Sequence, residues 1–135
     1  MVIEHFFKKR FVMANKKQFG VWMDTHNAII VGKENTADVD FTVIAHVTGE
    51  DTPPNTSEKN SNHHERGLTA KYFKEICTHL QNATHIHLTG TGQIQEQFIN
   101  FLAETPQFKN TITEESTTNK MSDERLVEFM AEKLN

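Results

Sequence analysis

Apolar residues along the chain fall into two rhythms. Phe19-Gly-Val-Trp-Met-Asp24 is apolar and aromatic, breaks at the turn-forming Asp24-Thr-His-Asn27, and resumes as Ala28-Ile-Ile-Val31. Two such runs across a short polar break predict a hairpin. After the polar stretch 32–40, Phe41-Thr-Val-Ile-Ala-His-Val47 predicts a third strand. The rhythm then changes. Leu68, Tyr72, Phe73, Ile76, Cys77 and Leu80 recur at spacings of three and four, the apolar face of a helix. His85-Ile-His-Leu-Thr89 predicts a fourth strand and runs into Gly90-Thr-Gly92. A second helix follows, with Ile94, Phe98, Phe101 and Leu102 on one face, and stops before Pro106. Thr111-Ile-Thr113 predicts a short fifth strand. Ser122 suits the N-cap of a last helix, with Asp123 and Glu124 at the positive end of its dipole and Leu126, Val127, Met130 and Leu134 facing the core.

The predicted order is β-β-β-α-β-α-β-α. An antiparallel meander that crosses through helices to further strands gives an α/β mixed sheet flanked by helices, the ribonuclease-H-like layout. Between the third strand and the first helix the pattern collapses. Gly49, Pro53, Pro54, Asn55, Ser57, Asn60 and Asn62 predict a long loop over 48–67, the first place to look for a role.

Composition narrows the class. At 135 residues the chain suits one domain, placed over 19–135, behind a flexible basic segment 1–18. No apolar run approaches the roughly 18 residues of a membrane span. Lys8-Lys9-Arg10 follows Phe6 and Phe7 rather than preceding a longer apolar stretch, which excludes a secretory signal. The single Cys77 rules out an internal disulfide, and a cytoplasmic location is expected. The net charge of −4 hides an asymmetry: residues 1–17 carry +4 and the remaining 118 sum to −8. A basic arm on an acidic body can touch phosphate only locally. Lys8-Lys9-Arg10 also reads as a purine-rich ribosome-binding site six nucleotides before the codon for Met13, so a natural start at Met13 is expected.

Chemistry-bearing residues are sparse. Asp24, at the end of the first strand, is where ribonuclease-H-like nucleases hold a metal carboxylate. Two-metal hydrolysis needs several converging carboxylates, and the fourth strand offers none, so a turn role for Asp24 is the simpler reading. Of eight histidines, His85 and His87 alternate in a strand and share a face. With Asp24 they form the only metal set worth naming, the basis of an alternative metal-dependent hydrolase, but their spacing matches no zinc pattern. No cofactor is expected. Gly90-Thr-Gly92 lies between strand and helix, where backbone N–H groups can cradle an anion. A tight turn that needs glycine conformations is the plainer reading.

Val21-Trp-Met-Asp24 with Ala28-Ile-Ile-Val31, the helix opening at Arg66, the turn after His85-Ile-His-Leu-Thr89, and Lys120-Met-Ser-Asp123 together resemble short bacterial translational-machinery proteins. These in turn look like the middle domain of archaeal and eukaryotic peptide-chain release factors and of the rescue factor Pelota. The resemblance implies a ribosome or ribosomal-RNA partner, although a protein-only interaction module remains the other non-enzymatic reading. The departures are specific. Release factors carry Gly-Gly-Gln in the loop before the first helix, where this chain reads Asn62-His-His-Glu-Arg-Gly67. Bacterial relatives carry Gly-Pro-Gly-Glu-Ala-Lys after the fourth strand, where this chain reads Gly90-Thr-Gly-Gln-Ile-Gln95. The expectation is therefore a non-catalytic binding protein. Its contact residues are expected to be His63, His64, Arg66, Gly90 and Gly92, with Arg66 able to grip a phosphate.

Overall fold

The computed structural model describes residues 16–33, 40–50 and 58–135, with side chains from residue 65 onward in the last stretch. The expected basic segment through residue 15, the start at Met13, residues 51–57 of the loop and the side chains of His63 and His64 lie outside the described residues.

Among the described residues, five strands and three helices follow in the expected order. They are β1 (Gln18–Met23), β2 (Asn27–Gly32), β3 (Thr42–Thr48), α1 (Glu58–Thr78), β4 (His85–Gly90), α2 (Gln93–Glu104), β5 (Ile112–Thr117) and α3 (Asp123–Leu134). A short 3-10 turn, Pro106–Phe108, closes α2. The sheet order is β3-β2-β1-β4-β5. β1–β2 and β2–β3 pair antiparallel, whereas β1–β4 and β4–β5 pair parallel. This is the ribonuclease-H-like mixed sheet that the element order implied.

Strands β1 and β2 read as continuous apolar runs because both faces of the sheet are covered. Phe19, Val21, Met23, Ala28 and Ile30 pack with Phe73 and Ile76 of α1, Leu80 just beyond it and Phe98 of α2. Trp22, Ile29 and Val31 pack on the other face with Phe41 and with Leu126 and Met130 of α3. Alternation along β1 thus feeds two cores rather than one core and solvent. Gly20 sits under α3, and a methyl group there would overlap the Met130 side chain.

One expectation needs correction. The loop over 48–67 is shorter than predicted, because α1 begins at Glu58 and takes in residues 58–67. Those residues are polar, so they carry no apolar stripe. The stripe starts at Leu68, and among the described side chains of the helix the first to join the core is Tyr72. Hydrophobic periodicity reports which part of a helix is buried, not where the helix begins.

Candidate functional site

The hairpin between β1 and β2 is built by Asp24. Its carboxylate accepts the backbone N–H groups of His26 at 2.9 Å and Asn27 at 2.7 Å, and its own N–H donates to the Asn27 carbonyl at 2.9 Å. This is the turn role the residue type favours. The Tyr72 hydroxyl donates to the Asp24 carbonyl at 2.9 Å, tying the hairpin tip to α1. Burial, followed by the nearby Asp24 charge, pushes the Tyr72 phenol above its ordinary range, so it stays a donor.

Beyond that tip, a cleft of about 910 Å³ lies between α1 and α2 at the carboxyl ends of β1 and β4. Thr25, His26, Gly49 and Glu50 form one end. Leu68, Phe73, Ile94 and Phe101 supply an apolar floor, with Phe73 and Phe101 ring centroids 5.4 Å apart. Phe98 lies beneath, 5.1 Å from Phe73, and holds that ring in place. Glu65, Arg66 and Thr69 line the α1 side. Gln93, Gln97, Asn100 and Glu104 line the α2 side at helical spacing, forming a polar stripe above the aromatic floor. Clefts at the carboxyl ends of parallel strands are where α/β sheets commonly bind ligands.

Of the residues expected to make contacts, Arg66 lines this cleft and is exposed. Gly90 and Gly92 are not among its lining residues, although Gln93 and Ile94 directly after them are. Gly90 is required for space rather than for a special backbone angle, since a methyl group there would overlap the Met23 carbonyl oxygen. No glycine described has a φ in the left-handed range. Gly92 is the N-cap of α2, with no side chain to cap it and φ at 162°.

The histidines occupy the other face and the other end of β4. His85 pairs with Gln18 and His87 with Gly20, whereas Asp24 follows the far end of β1 at Met23. At about 3.3 Å per residue, the strand from Gly20 to Asp24 spans about 13 Å of backbone, which sets Asp24 apart from both histidines. Among the described residues, no three His, Cys, Asp or Glu side chains converge in a way that could hold a metal ion.

His87 is 4% exposed. Its Nε2 meets the Ser116 Oγ at 2.8 Å, and the Ser116 hydroxyl donates to the Thr89 Oγ1 at 2.9 Å, which leaves Nε2 as the donor. Nδ1 is then a buried lone pair with no partner among the described residues. Protonating it would bury a charge without an acceptor. Burial, then the Lys133 charge, accordingly hold the His87 pKa below its ordinary value, with Glu114 opposing. Cys77 is buried against the core, and burial alone pushes its thiol up to about 12, which makes it a packing residue.

The carboxamide stripe on α2 was missed in the sequence. Gln93, Gln97 and Asn100 recur at intervals of four and three, a readable signal that attention to the apolar face passes over.

Fold and cleft together define an α/β domain of ribonuclease-H-like topology with a groove between its two crossover helices. Solved structures similar to the chain include two Pelota proteins and a translation termination factor. The chain is similar to the Thermoplasma acidophilum Pelota protein at 20% identity and a TM-score of 0.56, covering 86% of this chain and 32% of that one. It is similar to an archaeal translation termination factor, aRF1, at 13% identity and a TM-score of 0.54, covering 89% of this chain and 35% of that one. Archaeoglobus fulgidus Pelota matches at 12% identity and a TM-score of 0.57, covering 96% of this chain and 35% of that one. The chain thus spans about a third of the length of these proteins. No protein-family model matches it, and no curated protein sequence does. No helix among the described residues is long and apolar enough to cross a membrane.

Proposed function

We propose that this chain is a non-catalytic relative of the middle domain of release factors and Pelota. In this reading it attaches to the ribosome, or to a translation-associated complex, through the α1–α2 cleft. The observation that carries the reading is the structural match of nearly the whole chain to one third of Pelota and of aRF1. The non-catalytic part rests on the stretch Asn62-His-His-Glu-Arg-Gly67. In release factors the corresponding loop carries Gly-Gly-Gln, whereas here it lacks glutamine and its backbone belongs to α1.

Sedimentation of purified protein with ribosomes tests the reading. Association is expected at low salt and should weaken as salt rises, with a shallow slope because an acidic body neutralises few phosphates. The same preparation should release no peptide from peptidyl-tRNA. Protein that stays in the supernatant at low salt, with translation factors present, would overturn attachment to the ribosome.

A further inference from the structure

The charges around the cleft are of one dominant sign. Glu50, Glu65 and Glu104 line it, and Arg66 is the one Lys or Arg among the described lining residues. Lys71 neutralises part of this from outside, with its ammonium 3.2 Å from the Glu50 carboxylate, but both side chains are exposed and the pair is solvent-screened. An acidic rim repels phosphate and attracts cations, and an Arg66 set beside Glu65 is a poor phosphate grip.

The floor adds a second requirement. Leu68, Ile94 and Phe101 are each half-buried over the buried Phe73, so an occupant gains by bringing apolar side chains to them. The α2 stripe from Gln93 to Glu104 runs about 16 Å at 1.5 Å per residue, room for about three helical turns of a partner. Its carboxamides can both donate to and accept from polar groups at the partner's edge.

We propose that the cleft receives a basic amphipathic helix from a protein partner. Apolar side chains at helical spacing would rest on the aromatic floor, and lysine or arginine would face Glu65 and Glu104. This rests on reading the cleft as the contact surface and names the chemistry of what it contacts: protein, not RNA. The body of a second copy of this chain is a poor occupant, because residues 18–135 carry a net charge of −8 and like charges would meet. That leaves its basic segment 1–17 as the competing occupant, which the oligomeric state of the full chain would reveal.

The test uses the full chain without ribosomes, so its outcome is separate from the sedimentation result. Fluorescence anisotropy follows a labelled leucine–lysine peptide of about 14 residues patterned as an amphipathic helix. Its controls are a peptide of the same composition in scrambled order and a labelled single-stranded RNA. Patterned peptide is expected to bind at least about tenfold more tightly than scrambled peptide or RNA. The double substitution Glu65→Lys and Glu104→Lys should weaken it about tenfold or more, a factor that corresponds to about 1.4 kcal/mol. Both positions are exposed, so folding should be retained, and an unchanged melting curve checks this. Arg66→Ala should leave peptide binding unchanged or tighter. The proposal is overturned if the scrambled peptide binds equally, if the charge reversal has no effect, or if RNA binds best and Arg66→Ala abolishes it.

Discussion

The two faces of the sheet solve the same packing problem differently. On one face α1 and α2 lie over β1 and β4, with aromatic rings under an open groove at the carboxyl ends of the strands. On the other, α3 is the helix among the described residues that covers the sheet, and polar side chains beneath it are bonded to one another. His87, Ser116, Thr89 and Thr118 form a continuous row there, with separations of 2.8 to 2.9 Å. Polarity on the first face lines the open groove, at Gln93, Gln97 and Asn100. On the second most of it is bonded internally, while His87 Nδ1 and Trp22 Nε1 stay buried without a partner among the described residues. The candidate contact face is told apart by exposed polar side chains set beside apolar ones, not by how many polar groups it holds.

The largest effect should come from breaking the aromatic support that both the core and the cleft share. Phe98 is fully buried and touches Phe73. Phe98→Ala is expected to cost about 3–5 kcal/mol, from lost burial plus the cavity left behind. Denaturant melts would show the loss as a lower midpoint, and an unchanged midpoint would mean that this face is not packed as described. A smaller loss is expected from Gly90→Ala. The added methyl must push β4 away from the Met23 carbonyl, and overpacking of this kind costs about 1–3 kcal/mol. If Gly90 instead served mainly as a ligand contact, the alanine variant would lose binding while keeping its stability.

The buried row under α3 can be probed by acid. The native His87 pKa is held low by burial and by Lys133, while the unfolded chain protonates near the ordinary value of about 6.5. Between those two values the unfolded state binds more protons, so stability rises with pH through that window. The contribution is whole above the unfolded value and is lost as pH falls below it. His85 adds in the same direction, its pKa lowered by burial and then by Lys16, with Glu114 opposing. Melting temperature should therefore drop below about pH 6.5. His87→Gln can keep a donor for Ser116 without titrating, and it should flatten that drop relative to the parent. An equal drop in the variant would place the acid sensitivity elsewhere.

The fold was legible in the sequence wherever burial imposed a period. Strands β1 and β2, the sheet-facing part of α1, and α3 with its Ser122 cap all leave such a trace, and the Ser122 hydroxyl does accept the Arg125 N–H at 3.2 Å. Element order then narrowed the topology to the mixed sheet. The site was less legible, because the cleft is lined by segments far apart in the chain and no local pattern encodes their juxtaposition. Arg66 was singled out and does line the cleft. The acids around it come from β3's end, α1 and α2, and only the folded chain brings Glu50, Glu65 and Glu104 together. Gly90 was picked out for the wrong reason, since close approach of a neighbouring strand cannot be read from a glycine's own sequence context.

The smallest effect should come from the part of α1 that periodicity did not reveal. Gly67 lies inside this helix, is exposed, and has open space where a Cβ would go. Its φ is not positive, so an L side chain fits the backbone. Glycine in a helix interior is less favourable than alanine by about 0.5–1 kcal/mol, chiefly through the entropy of the unfolded chain. Gly67→Ala should therefore stabilise the protein by about that amount if residues 58–67 are helical. Were this stretch instead the irregular loop that its polar composition suggested, alanine would find no helix to favour, and the melting midpoint would stay put or fall. The substitution sits on the helix that lines one side of the cleft yet removes no side chain. A stabilised variant with unaltered peptide binding would thus fix the start of α1 without disturbing the contact surface.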